Sequence, residues 1–233
     1  MLYEEAKWIG EKLLNLSKPG DKVLNIGSST HHVRKVSQPH MDNYIFKPLV
    51  ENNRTIVHTD IIDEKGVDIV GDLTNRTFVD GLRNQKYNFV LCSNLLEHLE
   101  NKALVVNAIE DILPAGGKAL ITVPYNYPFH LDPIDTMFRP KTHELKKLFQ
   151  KLNFCNGEIV KGRSYRKNKF QKNYFQQLIT QPELFLRLSL RLLIPFYKFT
   201  IWKSTFISYI YMFKHFSVTC IILEKTKHDT SNS

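Results

Sequence analysis

Val23-Leu24-Asn25-Ile26-Gly27-Ser28-Ser29-Thr30, followed by Thr55-Ile56-Val57-His58-Thr59-Asp60, is the pair of stretches that decides how this chain folds. Each is an apolar run, the first closing in a turn of small residues and the second in an acid. In a βαβ unit, small residues at the strand-to-turn junction let a ligand approach the backbone, where free N–H groups face it. An acid at the tip of the next strand can accept hydrogen bonds from both hydroxyls of a ribose. Gly27 is the one glycine of this turn, so the stretch alone also fits an ordinary strand and loop of any α/β domain. A dehydrogenase using NAD would carry two or three glycines here.

Outward from these strands the punctuation is regular. Apolar positions 2, 6, 9, 13, 14 and 16 have helical spacing and predict an opening amphipathic helix, ended by Lys18-Pro19-Gly20-Asp21 ahead of a strand over about 22–27. Strands are predicted near 55–60, near 67–70 and at Tyr87 to Cys92. A helix over about 101–112 then leads through Leu113-Pro114-Ala115-Gly116-Gly117 into the strand Lys118 to Val123. Thr142 reads as the N-cap of a helix reaching Leu152, with strands at Phe154 to Val160 and Phe216 to Leu223. Alternating strands and helices imply an α/β fold with a largely parallel sheet covered on both faces.

Composition narrows the class. At 233 residues the chain can bury one sizeable core. Its three cysteines, Cys92, Cys155 and Cys220, lie scattered in apolar runs, which predicts reduced thiols and a cytosolic compartment. The opening residues lack the uninterrupted apolar stretch of a secretory signal. The net charge of +9 is concentrated: between Lys161 and His215 eleven lysines and arginines face the single acid Glu183, so this segment carries +10 and the remainder −1. The expected division is a core over 1–160, a basic helical insertion over 161–215, the last strand over 216–224 and a tail over 225–233.

The order of these motifs resembles that of the class I S-adenosylmethionine-dependent methyltransferases, over roughly 20–160 plus the last strand. The resemblance implies a Rossmann-like, seven-stranded, mostly parallel sheet with a helical insertion before the last strand, and S-adenosylmethionine as cofactor. In it the turn Gly27, Ser28 and Ser29 corresponds to the first motif, Asp60 to the ribose-holding acid, and Gly71-Asp72-Leu73 to the segment beside the adenine. Tyr87 to Leu99, with Leu96-Glu97-His98, resembles the fourth strand and its signature, where Ser93 and Asn94 are the expected cofactor contacts. Asn25 stands where the family commonly has an acid; it keeps a hydrogen-bonding group and loses the charge. The run Val123-Pro124-Tyr125-Asn126-Tyr127-Pro128-Phe129-His130-Leu131-Asp132-Pro133-Ile134-Asp135-Thr136-Met137-Phe138-Arg139 is similar to a series in methyltransferases of surface-glycan (lipopolysaccharide and capsule) biosynthesis. It implies a glycan or lipid-linked acceptor.

Methyl transfer from a sulfonium is an in-line displacement in which alignment is the main task. A sugar hydroxyl, the expected nucleophile, gains from a nearby base. The catalytic candidates are therefore His130 as base, Asp132 or Asp135 as its orienting partner, and Arg139 as holder of an acceptor oxygen. The alternative within the same loop is a rigid lid in which Arg139 pairs with Asp135 and His130 is a surface residue. Leu95, Leu96 and Leu99 read as core packing, with Glu97 and His98 as a rim pair. His31 and His32 are adjacent and point apart, and no metal site is expected.

For 161–215, Thr180-Gln181-Pro182-Glu183 fits a capping box launching an amphipathic helix with Arg187 and Arg191 on one face, broken by Pro195. A membrane span needs about 20 apolar residues, and a central lysine costs about 2.5 to 3.5 kcal/mol. Lys198 and Lys203 would both fall inside such a span. Interfacial helices over 184–213 on an anionic inner leaflet are one expectation, placing the chain at the periphery of the cytoplasmic membrane; packing on the sheet or on a second subunit, as in a homodimer, is the other. Nucleic acid is the weaker partner, because the Asn-Pro-Pro-aromatic sequence of base-amine methylation is replaced by Ser93-Asn94-Leu95-Leu96. A catalytically inactive scaffold of the same fold remains the alternative that the departure at Asn25 keeps open.

Overall fold

The computed structural model describes residues 1–129, 134–164 and 215–226. Seven strands form one sheet: β1 (Lys22–Ile26), β2 (Thr55–Asp60), β3 (Ile69–Val70), β4 (Phe89–Ser93), β5 (Lys118–Asn126), β6 (Asn153–Ser164) and β7 (His215–Glu224). Their order is β3-β2-β1-β4-β5-β7-β6. The first five run parallel, and β7 runs antiparallel to both β5 and β6. This is the α/β architecture the sequence implied.

Both sheet faces are apolar because each strand alternates between two cores. Leu24, Val90, Ile121 and Ile221 enter one core, beneath α4 (Arg76–Asn84), α5 (Lys102–Ile112) and α6 (Thr142–Leu148). Val23, Leu91, Leu120 and Ile222 enter the other, beneath α1 (Tyr3–Leu16). Burying a side chain of this size contributes about 1.5 to 3 kcal/mol, so the alternation sets the register firmly. Asn75 caps α4, its side chain accepting from the N–H groups of Thr77 and Phe78 at 2.9 and 3.3 Å.

Several elements differ from expectation. The N-cap of α6 is Lys141, whose N–H donates to Glu144 Oε2 at 2.7 Å; Thr142 is the first helical residue, and the helix stops at Leu148. Phe149 and Leu152 still reach the core, which is why the apolar spacing overstated the helix. Between β1 and β2 lies helical chain that the sequence did not announce: π-turns at Val33–Ser37 and Asp42–Phe46, with α2 (Pro39–Met41) and α3 (Lys47–Glu51). α1 lies on it at very close range. A Cβ on Gly10 would come within 1.9 Å of the Tyr44 carbonyl oxygen, so only glycine permits this approach.

β6 runs to Ser164, beyond the predicted Val160, because it pairs with β7 along its length down to Ser164 against His215. The Asn126 side chain donates to the His215 carbonyl at 2.8 Å, so this junction sits at the carboxyl end of β5. The expected helical insertion, its capping box at Thr180 to Glu183 and the tail beyond 226 lie outside the described residues. Among the described residues no helix is long and apolar enough to cross a membrane.

Candidate active site

Strand order reverses between β1 and β4, and there the carboxyl ends of neighbouring strands open a crevice. A cavity of about 310 Å³ occupies this position. It is lined by Asn25, Gly27, Ser28 and Ser29 after β1, Ser93, Asn94, Glu97 and His98 after β4, Pro124 and Tyr127 after β5, and Leu2 and Glu5 of the opening helix. Six of the nine expected cofactor contacts thus come together.

The turn after β1 is held open by specific contacts. Gly27 has φ 61°, and a Cβ there would meet Leu95 Cδ1 at 2.9 Å. Ser29 has φ 56°, and its N–H donates to Asp60 Oδ2 at 2.7 Å, which ties the tip of β2 to the turn. Arg34, 4% exposed, donates to the carbonyls of Ser28, Ser29 and Gly66 at 2.7, 2.6 and 2.5 Å. With their carbonyls held from behind, the turn's backbone is fixed in shape. Asp72 and Leu73 stand outside the cavity, next to Asp60: the Gly71 N–H donates to the Asp60 carbonyl at 3.0 Å, Asp72 is exposed, and Leu73 leans on the core.

Asn25 is 2% exposed and donates through Nδ2 to His58 Nδ1 at 3.0 Å. Burial, with Arg34 nearby, pushes the His58 pKa down to about 4, so its ring is neutral and Nδ1 is free to accept. The missing acid of β1 has therefore become a neutral amide fixed by a neutral imidazole.

Charge enters the cavity elsewhere. Glu5 is fully buried and accepts from the Asn94 amide at 2.7 Å, the Thr122 hydroxyl at 2.6 Å and the Leu2 N–H at 3.0 Å. Glu97 is also fully buried, which corrects its expected place on the rim, and neither of its carboxylate oxygens accepts a hydrogen bond. Its nearest cationic candidate is His98 Nε2, 3.7 Å from Oε1. Burial pushes the Glu97 carboxyl up to about 8, with the charge of Glu5 adding to the effect. The Glu97 backbone is pinned from the other side, its carbonyl accepting from the Thr136 N–H and hydroxyl, both at 2.9 Å.

Of the catalytic candidates, Asp135 and Arg139 form a two-pronged pair: Arg139 Nη2 to Asp135 Oδ2 at 2.6 Å and Nη1 to Oδ1 at 3.1 Å. Neither lines the cavity. His130 and Asp132 lie outside the described residues. The sequence reading missed four side chains: Glu5, Arg34, His58 and, in its buried role, Glu97. Glu5 had a signal, being a charge set between Leu2, Ala6 and Ile9 on the apolar stripe of α1. Glu97 had another, as an acid among three leucines.

Residues 3–158 match the model of a family described as a methyltransferase domain. The chain belongs to that family. The methyltransferase resembles coclaurine N-methyltransferase, solved with N-methylheliamine and SAH, at 14% identity over 95% of this chain and 70% of that one, with a TM-score of 0.57. It also resembles the cyclase SpnF (12% identity, 96% and 80% covered, TM-score 0.55) and a SAM-dependent methyltransferase from Archaeoglobus fulgidus (15% identity, 94% of each chain, TM-score 0.52). At these identities the likeness concerns the fold alone. No curated protein matches the chain.

The site fits the cofactor of a SAM-dependent methyltransferase domain: a glycine turn whose space a Cβ would fill, an acid at the tip of β2 tied to that turn from outside the cavity lining, and two acidic side chains in the cavity wall suited to a ligand with cationic groups. When bound, S-adenosylmethionine supplies an electrophilic methyl group on a sulfonium.

Proposed function

We propose that this methyltransferase acts on a glycan or lipid-linked saccharide acceptor in surface polysaccharide biosynthesis. The observation that carries the reading is the placement of the Val123 to Arg139 series. Pro124 and Tyr127 line the cavity, and the segment after the described gap returns to it: the Ile134 carbonyl lies 2.5 Å from His98 Nδ1, and Thr136 holds the Glu97 carbonyl. Of the run whose resemblance implies a saccharide acceptor, Pro124 and Tyr127 thus line the same cavity as the cofactor turn, and Ile134 and Thr136 touch two of its other lining residues.

In this reading Gly27, Ser28 and Ser29 cradle the amino-acid end of the cofactor with Asn25, Ser93 and Asn94. Asp60 takes the ribose, and Asp72 and Leu73 flank the adenine. Against a hydroxyl nucleophile, His130 serves as base, Asp132 or Asp135 orients it, and Arg139 braces the acceptor loop. Calorimetric titration of S-adenosylmethionine into the purified chain tests the cofactor half, with micromolar binding expected. A folded chain that shows no binding at millimolar cofactor would instead be an inactive scaffold. His130→Ala tests the base: turnover should fall far more than cofactor affinity, and unchanged turnover removes His130 from the role.

A further inference from the structure

The cavity contains two fully buried carboxylates, and they are not equivalent. Glu5 accepts three hydrogen bonds. Glu97 has none on either oxygen. A buried carboxylate without a partner is costly, and a fold retains one where a ligand completes it. Among the described residues no lysine or arginine side chain lines the cavity, and the α-ammonium of Met1 is engaged by Gln38 Oε1 at 2.8 Å. Arg139, the arginine whose charge reaches Glu97, is paired with Asp135, and Arg34 is bound to backbone carbonyls. Unpaired, the buried Glu97 carboxyl keeps its proton up to about pH 8, and a ligand that brings both an N–H donor and positive charge completes it as a carboxylate.

We infer that Glu97 recognises an ammonium group on the acceptor, so that the nucleophile is an amine, such as that of an amino sugar, and not the hydroxyl expected from sequence. The inference rests on the saccharide reading above and sharpens it. Position supports the acceptor over the donor's own ammonium. Glu97 is anchored through Thr136 to the segment that follows β5 and stands with His98, Pro124 and Tyr127, whereas the turn after β1 and Asp60 lie on the β1–β2 side. A hydroxyl would satisfy one oxygen and bring no charge; an ammonium offers up to three donors and a charge that holds Glu97 as its carboxylate.

The chemistry then balances on this chain's own groups. Glu97 releases its proton to solvent as the ammonium binds beside it; the ammonium then gives one proton to the Glu97 carboxylate, and the freed amine forms the new N–C bond. The C–S bond breaks with its electron pair going to sulfur, and the proton on Glu97 passes to solvent when the site opens.

The full chain, saturated with S-adenosylhomocysteine, is titrated with n-propylammonium chloride and with 1-propanol at equal ionic strength set by NaCl, following the melting temperature and heats of binding. The ammonium should bind at least about tenfold more tightly than the alcohol, as expected where a buried charge is left unpaired by the neutral analogue. Glu97→Gln should erase that difference while leaving S-adenosylhomocysteine affinity within about twofold. Equal effects of the two probes on the wild-type chain, including no effect of either, overturn the inference without recourse to any variant. So does an equal loss of S-adenosylhomocysteine binding in Glu97→Gln, which would assign Glu97 to the donor's ammonium. Failure of S-adenosylhomocysteine to bind at all is a separate result, and it removes the underlying saccharide-methylation reading as well.

Discussion

Arg34 spends its guanidinium on backbone alone: three carbonyls, two of them in the cofactor turn. Arg34→Met keeps the bulk and removes every donor. Cofactor affinity should fall by about tenfold or more and stability by roughly 2 to 4 kcal/mol, read by calorimetry and urea unfolding. Gly66 receives the third bond with φ 93°, and a Cβ there would stand 2.7 Å from His31 Cβ, so Gly66→Ala should weaken the same turn. Glu97 and His58 set opposite pH dependences. The Glu97 pKa is raised in the folded state, from 4.5 to about 8, so the folded chain holds the extra proton and stability falls as pH rises through that window. The His58 pKa is lowered, from 6.5 to about 4, so the unfolded chain holds the extra proton and stability falls as pH drops through that one. The two offset one another where the windows overlap, and the decline above about pH 6.5 belongs to Glu97. Glu97→Gln should abolish that alkaline decline and raise stability near pH 9 by roughly 1 to 3 kcal/mol. These roles were hidden in the sequence because an arginine, a histidine and an acid look alike whether solvated or buried. Only long-range packing separates the two states.

Elements were far more readable. β1, β4, β5 and β7 announce themselves because burial on both faces makes each a short, largely apolar run bounded by turns. β3 is only two residues long, and its assignment rested on position in the motif order. The helical chain from Val33 to Glu51 escaped notice because π-turns break the 3.6-residue spacing and because a buried Arg34 occupies a place where periodicity expects an apolar residue. That stretch carries one side of the cavity, through Val33, Gln38 and Met41, and α1 closes the same side. Gly10 governs their contact. Gly10→Ala forces α1 away from Tyr44 and should lower stability by roughly 1 to 3 kcal/mol. It should also disturb Glu5 and with it the cavity, so cofactor binding serves as a second readout.

At the scale of the whole molecule, charge and chemistry occupy different parts of the chain. The core that builds the cavity is nearly neutral, and the positive charge lies between Lys161 and His215. On the proposal that 184–213 rests on an anionic inner leaflet, the full chain should sediment with anionic vesicles, and removing 165–213 should release it. Unchanged sedimentation on removal would end that idea. The cofactor edge was readable from the motif order, since five short signals in sequence place one ligand at one end of a parallel sheet. The choice of nucleophile was not, because it depends on how two acids separated by more than ninety positions, Glu5 and Glu97, meet in a cavity.

The pairing of Ser164 with His215 has a topological consequence. The chain leaves the sheet at Ser164 and re-enters it at His215, facing positions on adjacent antiparallel strands, so the two ends of the intervening segment are held side by side. Loop-closure entropy grows only slowly with length, and such a loop can be lengthened, shortened or exchanged while the strands keep their register. The junction lies beside Asn126, at the carboxyl end of β5, so an exchange made there is expected to leave cofactor affinity within about twofold, as calorimetry would show. The fold thus keeps the address of the enzyme separate from its reaction, and a chimera carrying another protein's segment between Ser164 and His215 is a direct way to redirect it.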